Sequence, residues 1–137
     1  MMPFVLDASV AACWAFPDEH DPRAEAALVR VRMENAVVPS LWWFEVRNIL
    51  VVNERRKRIA ESGTTNFLRE LSRLRIVVDR EPDEAAVLKL ARAHRLSVYE
   101  ASYLELALRE AISIATLDDQ LATAAVAEGA DIIGVTA

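Results

Sequence analysis

Short apolar runs alternate along the chain with longer stretches in which apolar residues recur every three or four positions. Residues 4–7, Ala36-Val37-Val38, Ile76-Val77-Val78, Ile112–Thr116 and Ile132–Val135 read as buried strands. Between them the spacing predicts helices over Ala8–Phe16, stopped by Pro17, and from Asp21-Pro22 to Met33. A long helix follows Ser40, a candidate N-cap, and runs to Lys57. Gly63 punctuates the chain before a helix over Thr65–Leu74. Pro82 is expected to start a helix to His94, Ser97 to cap one reaching Glu110, and Asp118–Ala127 to form the last. Strands that alternate with amphipathic helices in this way point to an α/β protein: a parallel sheet of five strands covered on both faces, in three α/β/α layers.

The chain of 137 residues is read as one domain, 1–137, and its 53% hydrophobic and 27% charged residues describe a packed globular protein. No apolar run approaches the ~18 residues of a membrane span, and no secretory signal pattern opens the chain, so a cytoplasmic location is expected. Cys13 is the single cysteine, which excludes an internal disulfide, and His20 and His94 lie far from it and from each other. None of Gly63, Gly129 and Gly134 sits in a phosphate-cradling loop, and Ser9 lacks the glycines of a nucleophile elbow. A net charge of -5 argues against broad electrostatic binding of nucleic acid, though not against an enzyme whose acids are neutralised by metal.

Asp7, Glu45, Glu100 and Asp118 are the residues that carry chemistry. Three of them have a plain alternative reading at helix starts, where unpaired amides attract carboxylates. Asp7 and Asp118 could be N-caps, the latter with Thr116 and Asp119 in a capping-box-like pair, and Ser97-Val98-Tyr99-Glu100 matches the S-x-x-E capping box. Glu45 lies too far inside its helix for that. It shares a mostly apolar face with Leu41, Asn48, Ile49 and Val52, so it must be ion-paired, protonated or metal-bound. Asn48 favours a polar pocket. In a parallel sheet the ends that bear these acids lie on one edge, where the four can converge. Such a group repels itself unless a cation intervenes, and all-oxygen ligands select Mg²⁺ or Mn²⁺. That site suits phosphoryl chemistry by a metal-activated water, with Ser9 and Thr116 as supporting hydroxyls.

Four segments, FVLDAS, VPSLWWFEVRNIL, SVYEASYLELAL and IATLDDQLATAA, resemble in order and spacing the PIN-domain ribonucleases, and among them the VapC-type toxins of bacterial toxin-antitoxin pairs. The resemblance covers nearly the whole chain. It implies a five-stranded parallel sheet and a Mg²⁺- or Mn²⁺-dependent endoribonuclease. It further implies a homodimer and a cognate antitoxin whose C-terminal segment occupies the active-site groove. It assigns the acids to Asp7, Glu45, Glu100 and Asp118, and the accompanying hydroxyls to Ser9 and Thr116. Glu100 departs from the pattern, which usually has aspartate there; the extra methylene moves the charge outward on a more flexible stem.

The basic run Arg55, Arg56, Lys57 and Arg58 has two readings, a solvated complement to the helix dipole or a steering patch for RNA phosphates. Of Trp42, Trp43 and Phe44, consecutive on one helix, at least one must emerge as an exposed aromatic suited to a dimer or antitoxin contact. Two other functions compete with the nuclease: a small Mg-dependent phosphohydrolase with Asp7 as nucleophile, and a PIN-like binding module weakened at Glu100.

Overall fold

β1 (Phe4–Leu6) is buried at every position. Successive strand side chains point to opposite faces, so such a strand must be covered on both. The computed structural model, which describes residues 2–135, joins it to β2 (Ala36–Pro39), β3 (Ile76–Asp79) and β4 (Ile114–Ala115). The four strands form a parallel sheet in the order β3-β2-β1-β4. The helices are α1 (Ala8–Cys13), α2 (Pro22–Val31), α3 (Leu41–Arg55), α4 (Glu61–Leu71), α5 (Glu84–His94), α6 (Val98–Glu110) and α7 (Asp119–Ala127). α6 packs on β1 and β2, α2 on β4, and α1 against α3. No helix among the described residues is long and apolar enough to cross a membrane.

The α/β class and parallel pairing agree with the sequence expectation, but the fifth strand does not form. Ile132 makes only an isolated parallel bridge to Ile114. Hydrogen bonds from Ile114 N to Asp131 O and from Ile133 N to Ile114 O, both 3.0 Å, are the extent of the ladder. Gly134 then takes φ +81°, a left-handed conformation that turns the chain away from extended pairing. A Cβ at Gly134 would lie 2.8 Å from Arg23 Cα, so the turn is pressed against α2.

Helix starts follow their capping residues, with three corrections. Asp21 accepts from Arg23 N ahead of Pro22, and Ser97 from Glu100 N. α5 is capped by Asp83, which accepts from Ala86 N, so Pro82 lies outside it. Ser40 already has helical backbone angles and makes no side-chain cap. Gly63 sits within α4 and does not punctuate the chain. A Cβ there would stand 2.9 Å from Ile59 Cγ1, so a close approach accounts for the residue.

The strand order positions the site. From β1 the chain moves toward β2 and then β3, whereas β4 lies on β1's other side and continues to the bridge at Ile132. The connections therefore leave β1 and β4 in opposite directions, and the crevice at their carboxyl ends is where open α/β sheets take ligands. Asp7 follows β1 there, and Thr116 to Asp118 follow β4.

Candidate active site

The register pairs Leu6 with Ala115, and Asp7 N donates to Ala115 O at 2.9 Å, carrying the pairing one residue past the strand. Asp7 is thereby fixed beside Thr116. Although Asp7 occupies the N-cap position of α1, its side chain does not cap the helix. Its Oδ2 accepts the hydroxyls of Ser9 and Thr116, each at 2.7 Å. Those hydroxyls in turn accept backbone N–H groups: Ser9 Oγ from Leu117 at 3.1 Å and Thr116 Oγ1 from Asp118 at 3.0 Å. Two turns after different strands are thus laced together through one carboxylate.

Glu45 sits one helical turn into α3, half-buried, with no ion pair among the described residues. The arginine partner left open by the sequence is absent. Its Oε1 accepts the Tyr103 hydroxyl at 2.5 Å. Glu100 holds the capping box in altered form: Ser97 Oγ accepts Glu100 N and donates to Glu100 Oε1, both at 3.0 Å. Glu100 Oε2 is buried without a hydrogen-bond partner among the described residues. Asp118 does cap α7, its Oδ1 accepting Leu121 N at 2.9 Å. The expected pairing of Thr116 with Asp119 does not occur, since the hydroxyl is turned to Asp7 and Asp119 reaches out to Arg23.

Burial is the main influence raising the Asp7 carboxyl above its ordinary range; the Ser9 and Thr116 hydrogen bonds oppose it, and the nearby Asp118 charge adds to the rise. Glu45 is raised chiefly by burial, against the Tyr103 hydrogen bond and with help from the charges of Asp7 and Glu100. Burial and the neighbouring acids push the Tyr103 phenol far upward, so it remains a proton donor to Glu45. Asp118 thus acts on Asp7, and Asp7 and Glu100 act on Glu45, which links the four acids electrostatically. Among the described residues no three acid, histidine or cysteine side chains close into a ready cage for an ion. None of the four acids is ion-paired with a basic side chain among the described residues. Their all-oxygen donors, and the bare Oε2 of Glu100, fit a hard divalent ion.

The remaining candidates separate. Asn48 is exposed and makes no hydrogen bond to the acids among the described residues. Arg55, Arg56 and Lys57 are exposed at the end of α3. Arg58 folds back, donating from Nη1 to the buried Asn53 Oδ1 at 2.9 Å and lying 4.6 Å over the Phe16 ring. Trp42 is buried, whereas Trp43 and Phe44 are exposed, edge to face at 4.9 Å, with Arg47 over Trp43 at 3.9 Å. Tyr103 was not singled out in the sequence. Its signal was its place three residues after Glu100, on the same face of α6. Asn53 likewise looks, in sequence, like one more polar residue near a helix end.

Comparison with known proteins bears on the whole arrangement. The PIN domain family profile matches residues 4–127. Ribonuclease VapC3 of Pyrobaculum aerophilum is 34% identical over 125 residues, 88% of this chain and 93% of that protein. In structure, PAE2754 from Pyrobaculum aerophilum superposes with a TM-score of 0.72 at 20% identity, over 96% of this chain and 89% of the other. FitAcB from Neisseria gonorrhoeae gives 0.59 at 19% identity, over 96% of each chain. At those identities the two structures speak for the fold alone. With its profile match spanning β1 to α7 and a VapC-type relative matched over most of both chains, the chain belongs to the PIN-domain family, among its VapC-like members.

Proposed function

We propose that this protein is a metal-dependent endoribonuclease and the toxin of a type II toxin–antitoxin pair, acting as a homodimer with Mg²⁺ or Mn²⁺. The observation that supports the reading is the linked charges of Asp7, Glu45, Glu100 and Asp118 beside the β1/β4 crevice, together with a buried Glu100 oxygen that has no hydrogen-bond partner among the described residues. The likeness to Ribonuclease VapC3 supplies the substrate class. Asp7, Glu45, Glu100 and Asp118 would hold the metal. When bound, a divalent ion lowers the pKa of a coordinated water and stabilises charge on phosphoryl oxygens.

The chain's own residues do the positioning. Ser9 and Thr116 fix the Asp7 carboxylate by two hydroxyl bonds to one oxygen, leaving the other free of them. Tyr103 holds Glu45 and, staying protonated, keeps it an acceptor. The exposed Trp43 and Phe44 suit a dimer or an antitoxin contact.

The test compares wild type with Asp7→Asn and Glu100→Gln on single-stranded RNA during Mn²⁺ titration. Cleavage is expected to leave 5′-phosphate and 3′-hydroxyl ends and to fall at least about 100-fold in both variants. Equal activity in all three proteins, 2′,3′-cyclic phosphate ends, or a folded wild type that never cleaves would overturn the reading; the last outcome would leave a binding module.

A further inference from the structure

Ser9 belongs to two places at once. Its hydroxyl holds Asp7, and the residue also lines a cavity of about 450 Å³ together with Phe16, Glu19, Asn53, Arg58 and Leu117. That volume falls among those of small-ligand sites, roughly 300–1,000 Å³. Ser9 and Leu117, joined by their own hydrogen bond, form the wall it shares with the acid group. The cavity therefore lies beside the acid group.

The wall opposite is built around Arg58. Asn53 is buried in α3, where an apolar side chain would be simpler, and both its polar atoms are engaged: Nδ2 donates to Ile49 O at 2.8 Å, and Oδ1 accepts Arg58 Nη1 at 2.9 Å. Phe16 supports the guanidinium from below. The other partners of Arg58, Asp18 and Glu19, are long and exposed at 3.4 Å, contacts of the exchangeable surface kind. Arg58 is thus oriented from behind while its front faces the cavity.

The lining selects the class of ligand. Glu19 and Asp21 at the rim oppose a phosphate, whereas Ile49, Leu117 and Ala12 offer an apolar surface for a flat ring. Unpaired bases in RNA present both faces and edges to a protein. Arginine pairs with the O6 and N7 acceptors of guanine, and a carboxylate accepts from ring and amino N–H groups. Guanine offers both sets. Resting on the ribonuclease reading, the geometry points to this cavity as a nucleobase subsite for single-stranded RNA. It receives a guanine beside the bond to be cleaved, with Arg58 as the specificity-determining residue and Glu19 as its acceptor partner.

Binding separates this subsite from the chemistry. Fluorescein-labelled single-stranded oligoribonucleotides, identical except for one central G, A, U or C, are titrated by anisotropy against full-length Asp7→Asn protein. The G oligonucleotide should bind about 10-fold tighter than the others, within the discrimination of one good arginine–guanine pair. Arg58→Lys, which keeps the charge, and Glu19→Gln, at an exposed position, should each erase most of that preference while binding of the U oligonucleotide changes less than about twofold. Equal affinity for all four, or a preference that survives Arg58→Lys, overturns the subsite. Selective binding by a wild type that does not cleave would sink the nuclease and keep the subsite. Cleavage without base preference would do the reverse.

Discussion

Glu105 is as withdrawn from solvent as Asp7, at 3% against 8% exposure, yet the two acids live under opposite conditions. Glu105 accepts Arg109 Nε at 2.6 Å and Nη2 at 3.2 Å, and the same guanidinium reaches Asp79 Oδ2 at 2.8 Å. That arginine holds the Asp79 carboxyl below its ordinary range. Asp7 has hydroxyls and amides around it and other carboxylates beyond them, and it is driven upward. A carboxylate already clasped by a guanidinium has little left to offer an ion, while one surrounded by neutral donors and like charges keeps its affinity for one. Residue type and burial alone do not tell the two sites apart. The nature of the nearest donor does.

The sharpest way to break this contrast is Arg109→Ala. It strands Glu105 in the interior and should destabilise the protein by about 3 kcal/mol, the usual order for removing one partner of a buried pair. Urea unfolding would show it, and cleavage per folded molecule should be unchanged; a loss under 1 kcal/mol would mean that the pair is not structural. Asp7→Asn should act in the other direction. Because the folded carboxyl titrates above its unfolded value, ionisation opposes folding, and the wild type loses stability as pH rises through the raised folded pKa. Asp7→Asn should therefore raise the Tm near neutral pH by a few degrees, on the order of the effect of 1 kcal/mol, with the gain fading toward about pH 4. Mn²⁺ should raise the wild-type Tm and leave that of Asp7→Asn in place. Smallest is Tyr103→Phe, which removes the bond favouring ionised Glu45. The acid limb of the cleavage profile should move to higher pH, with cleavage at neutral pH falling a few-fold, on the order of one hydrogen bond. An unmoved limb would detach Glu45 from the reaction.

The sheet was readable because its strands are short and apolar on both faces, so no alternation was needed to find them. The end of the chain misled for the same reason: Ile132-Ile133 has the strand composition, but Gly134 permits a turn that composition does not reveal. Gly63 erred the other way, since a breaker by propensity is a packing residue under Ile59. Among the acids, Glu45 stood out because capping could not explain it, and topology brings it near Asp7 and Glu100. That Asp7 declines to cap its helix could not be read from local sequence alone, because one of the two hydroxyls that hold it lies 109 residues away. The Arg109 clasp and the Asn53–Arg58 pairing stayed hidden too. One of Arg109's acids lies a turn back on α6, but Asp79 comes from β3, and a polar residue near a helix end looks the same whether buried or solvated.

Glu100 spans two kinds of duty with its two oxygens, one tied to Ser97 at the opening of α6 and the other bare. The first turn of that helix thereby carries a carboxylate whose charge is felt at Glu45. Amide hydrogen exchange at Glu100, whose N–H rests on Ser97 Oγ, is therefore an internal gauge of what the crevice holds, legible with no RNA present.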